Sequence, residues 1–182
     1  PSGFMQWLYY TIRVGWIILL SDMAFLTNTS AQVPPFENIS SDQGLSQGVV
    51  LCMMQDSKGF LWAGTKAGLN RYDGYSFRVF RHNLFDTLSI PDNRVVQLLE
   101  DRSGRIWIIT AIGLTLFDPR QDIFQPVPLR LNTEEPFLLN EITSLREDAI
   151  GAIWVRLGSS FFRLTLPRES FDLSKLKIRR IE

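Results

Sequence analysis

The sequence predicts an all-β fold made from one four-stranded unit repeated three times, and three observations carry that prediction. The stretch Asp56–Gly74, DSKGFLWAGTKAGLNRYDG, returns as Asp101–Asp118, DRSGRIWIITAIGLTLFD, and again as Asp148–Thr165, DAIGAIWVRLGSSFFRLT. Trp62, Trp107 and Trp154 follow one another at intervals of 45 and 47 residues, a period that marks a repeat architecture. Within each period, short apolar runs alternate with turn residues, and none shows the 3.6-residue periodicity that a helical repeat needs.

Each copy builds its elements in the same order. A β-favouring run comes first: Val49–Gln55, Val95–Glu100 and Ile142–Glu147. A turn follows with Asp first and Gly fourth, at Asp56–Gly59, Asp101–Gly104 and Asp148–Gly151. That is a type I turn signature, in which the carboxylate accepts from backbone N–H groups two residues on and Gly tolerates a positive φ. The tryptophan strand is next: Phe60–Thr65, Arg105–Thr110 and Ala152–Leu157. Its runs are apolar on both faces, as expected of a strand sandwiched between neighbouring units, and the tryptophan fills the wedge between them. A second turn at Gly68, Gly113 or Ser160 leads to Leu69–Tyr72, Leu114–Phe117 or Phe161–Leu164, and a fourth strand is anchored by Phe77, Phe124 and Phe171. Four strands in about 45 residues make one blade of a β-propeller. The blades expected are about 45–80, 93–127 and 140–174.

The flanks are read differently. Residues 1–31 carry Arg13, the apolar run Val14–Leu20 and the small residues Thr29-Ser30-Ala31 before Gln32, the order of a secretory signal peptide. Asp22 interrupts the apolar stretch, and an uncleaved membrane anchor is the alternative; a span needs about 20 apolar residues. Residues 33–182 then form a partial propeller. Phe36–Ser40 precedes a Gly/Ser loop as Phe77 precedes Arg81–Asn93, so it is expected to be an orphan fourth strand. About three blades plus that strand fall short of the four to eight that close a ring.

Composition narrows the function. Lys+Arg and Asp+Glu are 19 each, without the basic excess of a nucleic-acid footprint. The single cysteine, Cys52, rules out an intrachain disulfide, and with one histidine, His82, no nucleophile–base pair is evident. His82 lies in a loop sequence, whereas a kinase phosphoacceptor sits on a long helix. GTKAG lacks phosphate-loop spacing, and Asp73-Gly74 lacks the neighbours of a calcium loop. No catalytic, metal or cofactor site is therefore expected. Binding is expected on the loop end, at Arg81–Asn93, Gln125–Asn140 and the short turns at Lys66-Ala67 and Ala111-Ile112. The candidate ligand residues are Arg81, His82, Asn83, Asp92, Asn93 and Arg94, with Tyr75 and Phe85 as stacking surfaces.

The runs NRVVQLLEDRSGRIWIIT with GLTLFD, and GVVLCMMQDSKGFLWAGT with GLNRYDG, resemble the two-component regulator propeller repeat. The likeness covers residues 36–127 and weakens in the third copy, where Ser160-Phe161 replaces Gly-Leu and Thr165 replaces Asp. It implies the periplasmic sensor region of a hybrid two-component histidine kinase, tethered to the inner membrane and dimeric through parts outside this chain. It also implies an oligosaccharide ligand. A diguanylate cyclase output, a secreted propeller enzyme and a protein-interaction scaffold remain the alternatives.

Overall fold

The computed structural model describes residues 39–129 and 142–181. They form three four-stranded antiparallel sheets: β1 Val50–Gln55 to β4 Phe77–Phe80, β5 Val95–Glu100 to β8 Ile123–Pro126, and β9 Ile142–Glu147 to β12 Lys177–Ile181. The intervening strands are β2 Leu61–Thr65, β3 Leu69–Tyr72, β6 Ile106–Thr110, β7 Gly113–Asp118, β10 Ile153–Leu157 and β11 Ser160–Thr165. In each sheet the strands lie side by side in chain order, and no α-helix occurs among the described residues. The all-β, bladed expectation is met. The candidate signal segment, residues 1–31, lies outside the described residues.

The tryptophan strands stand in equivalent registers. Trp62 pairs with Met54 and Arg71, Trp107 with Leu99 and Leu116, and Trp154 with Arg146 and Arg163. The Asp-x-x-Gly turns close as expected: Gly59, Gly104 and Gly151 donate to the carbonyls of Asp56, Asp101 and Asp148 at 3.0, 2.8 and 3.1 Å. Their φ angles of +90°, +72° and +85° are the left-handed values that glycine accommodates.

Each carboxylate does more than the turn requires. One oxygen accepts from the backbone two and four residues on, and the other accepts from the indole N–H six residues on. Those indole bonds are 2.8, 2.8 and 2.9 Å, so the turn and the tryptophan are one structural unit.

Two cores lie between blades, not within them. Trp62, Leu69 and Phe80 of the first blade pack on Val95, Leu98, Ile106, Ile108, Phe117 and Phe124 of the second. Trp62 stacks on Phe80 at 5.9 Å and meets Phe117 edge-on at 5.5 Å. Trp107, Ile109, Leu114 and Leu116 of the second blade pack in turn on Leu145, Ile153, Val155, Phe162 and Leu164 of the third. The contact is tight at Gly64, where a Cβ would stand 2.6 Å from Val95 Cγ1 and 2.5 Å from Cys52 Sγ. Burial pushes the Cys52 thiol up to about 11, which leaves it inert at neutral pH.

Polar bonds at the turns repeat across both junctions. Glu100, at the end of β5, accepts from Ser57 N and Ser57 Oγ of the preceding turn, both at 2.6 Å. Glu147, at the end of β9, accepts from Arg102 N at 3.2 Å. The second junction is further closed by Arg105, almost fully buried, which pairs with Asp101 at 2.6 Å and donates to the carbonyls of Pro167 and Ser170.

One expectation changes. Phe171 does not anchor the fourth strand of the third blade; that strand is Lys177–Ile181, and the blade runs on past residue 174. Glu169 at φ +64° and the 3-10 turn Leu173–Lys175, capped by Asp172, lengthen the connection. Phe171 instead lies under the Arg120 guanidinium, 3.9 Å from its ring centroid. At the other end, residues 36–38 of the expected orphan strand lie outside the described residues. Its described part, Ile39-Ser40, is not strand; Ser40 caps the 3-10 turn Ser41–Gln43 in a capping box with Gln43.

Candidate functional site

Antiparallel order gives the blades two different ends. The Asp-x-x-Gly turns and the β3–β4 and β7–β8 connections gather at one end, spent on structure. The β2–β3 and β6–β7 hairpins and the connection between β4 and β5 gather at the other. The Asp-x-x-Gly turns repeat from blade to blade, whereas the connection between β4 and β5 is long and irregular, and loops of that kind on a regular frame are where recognition concentrates.

The longest described connection at the loop end runs from Arg81 to Arg94, and its own bonds fix its shape. Ser89 Oγ accepts from Asn83 N at 3.0 Å and lies 2.7 Å from the Asp86 carbonyl, to which it donates. Asn83 Oδ1 accepts from Phe85 N, and Asp86 Oδ1 from Leu88 N, each at 3.0 Å. These are Asx turns, in which a short side chain substitutes for a backbone carbonyl. At the base, Asn93 Oδ1 accepts from His82 N at 2.8 Å, and Asp92 Oδ1 from Arg94 N at 2.8 Å. Phe124 N donates to the Leu88 carbonyl at 3.0 Å, fastening the loop to the outer strand of the second blade. Ile90 is fully buried beneath it.

The six sequence-predicted residues divide into three groups. Arg81 and Asn83 line a recess of about 450 Å³ between β4 and β8, together with Asp86, Ser89 and, from the β7–β8 connection at the opposite end of the blade, Asp122. The Arg78–Asp122 pair at 2.8 Å links the blades across it. His82, Asp92 and Asn93 serve the loop itself: the His82 ring places Nδ1 3.0 Å from the Ile90 carbonyl, so Nδ1 carries the donated proton. Arg94 begins the second blade beside the β6–β7 hairpin, its carbonyl accepting from Ala111 N at 3.0 Å. Sequence reading did not single out Asp86, Ser89 or Asp122 as ligand residues, although the first two lie inside the loop Arg81–Asn93; the Asx spacing of Asn83, Asp86 and Ser89 was the available signal for those two. Asp122 comes from a different blade and adopts φ +58°, which no local pattern announces.

The two aromatic candidates stand apart. Phe85 is 98% exposed at the tip of the loop, and Tyr75 is 96% exposed in the β3–β4 turn at the opposite end of the blade. One sugar ring cannot be held between them. Among the described residues, no group of three or more His, Cys, Asp or Glu side chains is placed to hold a metal ion.

Comparison with known proteins agrees with this architecture. Residues 44–67 and 89–111 match the two component regulator propeller family. A histidine kinase P4 of Formosa agariphila is 38% identical over 74 residues, 41% of this chain and 5% of that protein. The extracellular domain of a hybrid two component system from B. thetaiotaomicron superposes with a TM-score of 0.57 at 26% identity, over 65% of this chain and 17% of that one. A virginiamycin B lyase from Staphylococcus aureus superposes at 0.50 with 17% identity, over 71% of this chain and 40% of the lyase, a likeness of fold alone. The chain thus spans less than half the length of each of these proteins, from 5% to 40%.

Proposed function

We propose that this chain, which carries two-component regulator propeller repeats, is part of the extracytoplasmic sensor of a membrane-spanning hybrid two-component receptor. The observation that carries this reading is the repeat itself, matched in two successive blades, together with the 26% identity to the extracellular domain of such a system. The chain has no catalysis of its own in this reading; its blades are a frame, and the receptor that contains it acts as a homodimer held in the membrane by other segments. The ligand is an oligosaccharide, bound at the loop end by Arg81–Asn93 with Arg94. The loop Gln125–Asn140 completes the site in this reading, although residues 130–140 lie outside the described ones.

Physical support for a hydroxylated ligand comes from the loop. Its Asn, Asp and Ser side chains each spend part of their bonding capacity on shape and leave the rest outward: Asn83 keeps its amide N–H groups and Asp86 its second carboxylate oxygen. A loop already held in one shape loses little entropy on binding. Binding signals only if the ligand prefers one of two arrangements of the receptor. Because the blades are rigid units, the change falls between subunits and not within a blade.

The test is calorimetric titration of the intact protein with a panel of neutral and acidic oligosaccharides, repeated with Asn83→Ala and Arg94→Ala. A glycan that binds the parent and is weakened at least tenfold by either substitution supports the site. Binding that both variants keep places the site elsewhere, and an unresponsive panel removes the oligosaccharide.

A further inference from the structure

The outward face of the third blade is not built like the two faces that other blades cover. Cross-strand register sets Arg146, Trp154, Arg163 and Arg179 in one row across its four strands, and Ser144, Arg156, Phe161 and Ile181 in the next. Neighbours in a row are about 4.8 Å apart. Arg146, Arg156, Arg179 and Phe161 are exposed. Among the described residues one carboxylate answers them, Asp148, whose Oδ2 already accepts from the Trp154 indole and lies 3.7 Å from Arg163 Nε.

The covered faces differ at the same registers. Arg156 stands where the first and second blades have Gly64 and Ile109, and Arg146 stands where they have Met54 and Leu99. Those smaller or apolar residues pack on aliphatic leading faces, Val95 against Gly64 being the closest.

The junctions also show how an arginine is met when one is present. Arg78 occupies the register of Arg179, and it pairs with Asp122 of the following blade at 2.8 Å. At both junctions a glutamate of the following blade takes the N–H of the second turn residue, Ser57 or Arg102. Ala149 is the equivalent residue of the third blade, and it is exposed.

We propose that this face docks the leading face of a further four-stranded blade, and that the blade is acidic. It carries a glutamate at the end of its first strand for the Ala149 N–H. It carries an acid two residues before its fourth-strand phenylalanine for Arg179, as Asp122 stands before Phe124. It carries an acid opposite Arg156, where the second blade has Val95. Trp154 and Phe161 supply the apolar contact beneath these pairs. The first blade of a second copy does not fit, because it presents Val50, Gln55 and Tyr75 at the three positions.

That misfit provides the test. A copy carrying Val50→Glu, Gln55→Glu and Tyr75→Asp, all at exposed sites, acquires the acidic face and should assemble head to tail. Sedimentation velocity of the intact chain compares it with the parent, and near-ultraviolet circular dichroism checks that both are folded. The expected result is association at least tenfold stronger than the parent's, reversed by adding Arg156→Glu and weakened by 1 M salt, where the screening length falls to about 3 Å. A triple variant that sediments like the parent overturns the proposal. So does a parent that assembles as strongly, which gives the face to a second copy. Binding of a sulfated oligosaccharide to the parent, lost with Arg156→Glu, while the variant stays dispersed, gives it to a soluble polyanion.

Discussion

Asp101 holds four donors at once: Ser103 N, Arg105 N, Arg105 Nε and the Trp107 indole. Its removal leaves the buried Arg105 guanidinium without its counter-charge, and breaking such a pair costs about 3–5 kcal/mol. Urea unfolding of Asp101→Ala is expected to show a loss of that size. Asp148→Ala, where no buried cation depends on the carboxylate, is expected to lose less. Asp148 also carries a pH signature. Its hydrogen bond from the Trp154 indole, with backbone N–H bonds from Ala152 and Ile150, holds its carboxyl below the usual carboxylate range. A depressed folded-state value means that the contribution is complete above the unfolded-state value, about 3.9, and is lost as pH falls through the lower folded one. Stability measured from pH 6 down to pH 2 should therefore decline more steeply for the parent than for Asp148→Asn. An equal decline in both assigns the acid sensitivity to other groups.

At the scale of elements, the blades are joined by the turn of one and the first strand of the next. Glu100→Ala should cost about 1–3 kcal/mol, the range for losing a charged hydrogen-bond partner. A double-mutant cycle with Ser57→Ala should show coupling of about 0.5 kcal/mol or more, and additive effects would mean the two do not act together. Gly64→Val places a side chain where Val95 and Cys52 already stand. Overpacking of this kind costs about 1–3 kcal/mol, read as a lower urea midpoint. Much of this scale was legible in the sequence. The Asp-x-x-Gly spacing and the tryptophan interval located nine of the strands, because turn chemistry and β-favouring runs are local. What stayed illegible is not local. Glu100 and Glu147 reach turns 43 and 45 residues away, and the fourth strand of the third blade was displaced by a connection whose left-handed Glu169 no pattern signals. The segment Arg81–Asn93 was legible as a loop from its turn residues, but the bonds within it were not. Asn93 and His82 look like ligand groups by residue type and are occupied in closing the loop.

The described residues form three successive blades with a turn end and a loop end, and in the proposed function the ligand is read at the loop end. Hydrogen exchange of the intact protein, with and without a glycan that binds it, measures this directly. Added protection is expected in peptides spanning residues 81–94 and the adjoining hairpin at 111–113. None is expected at the turns 56–59, 101–104 and 148–151. Protection confined to those turns, or absent from residues 81–94, would contradict it.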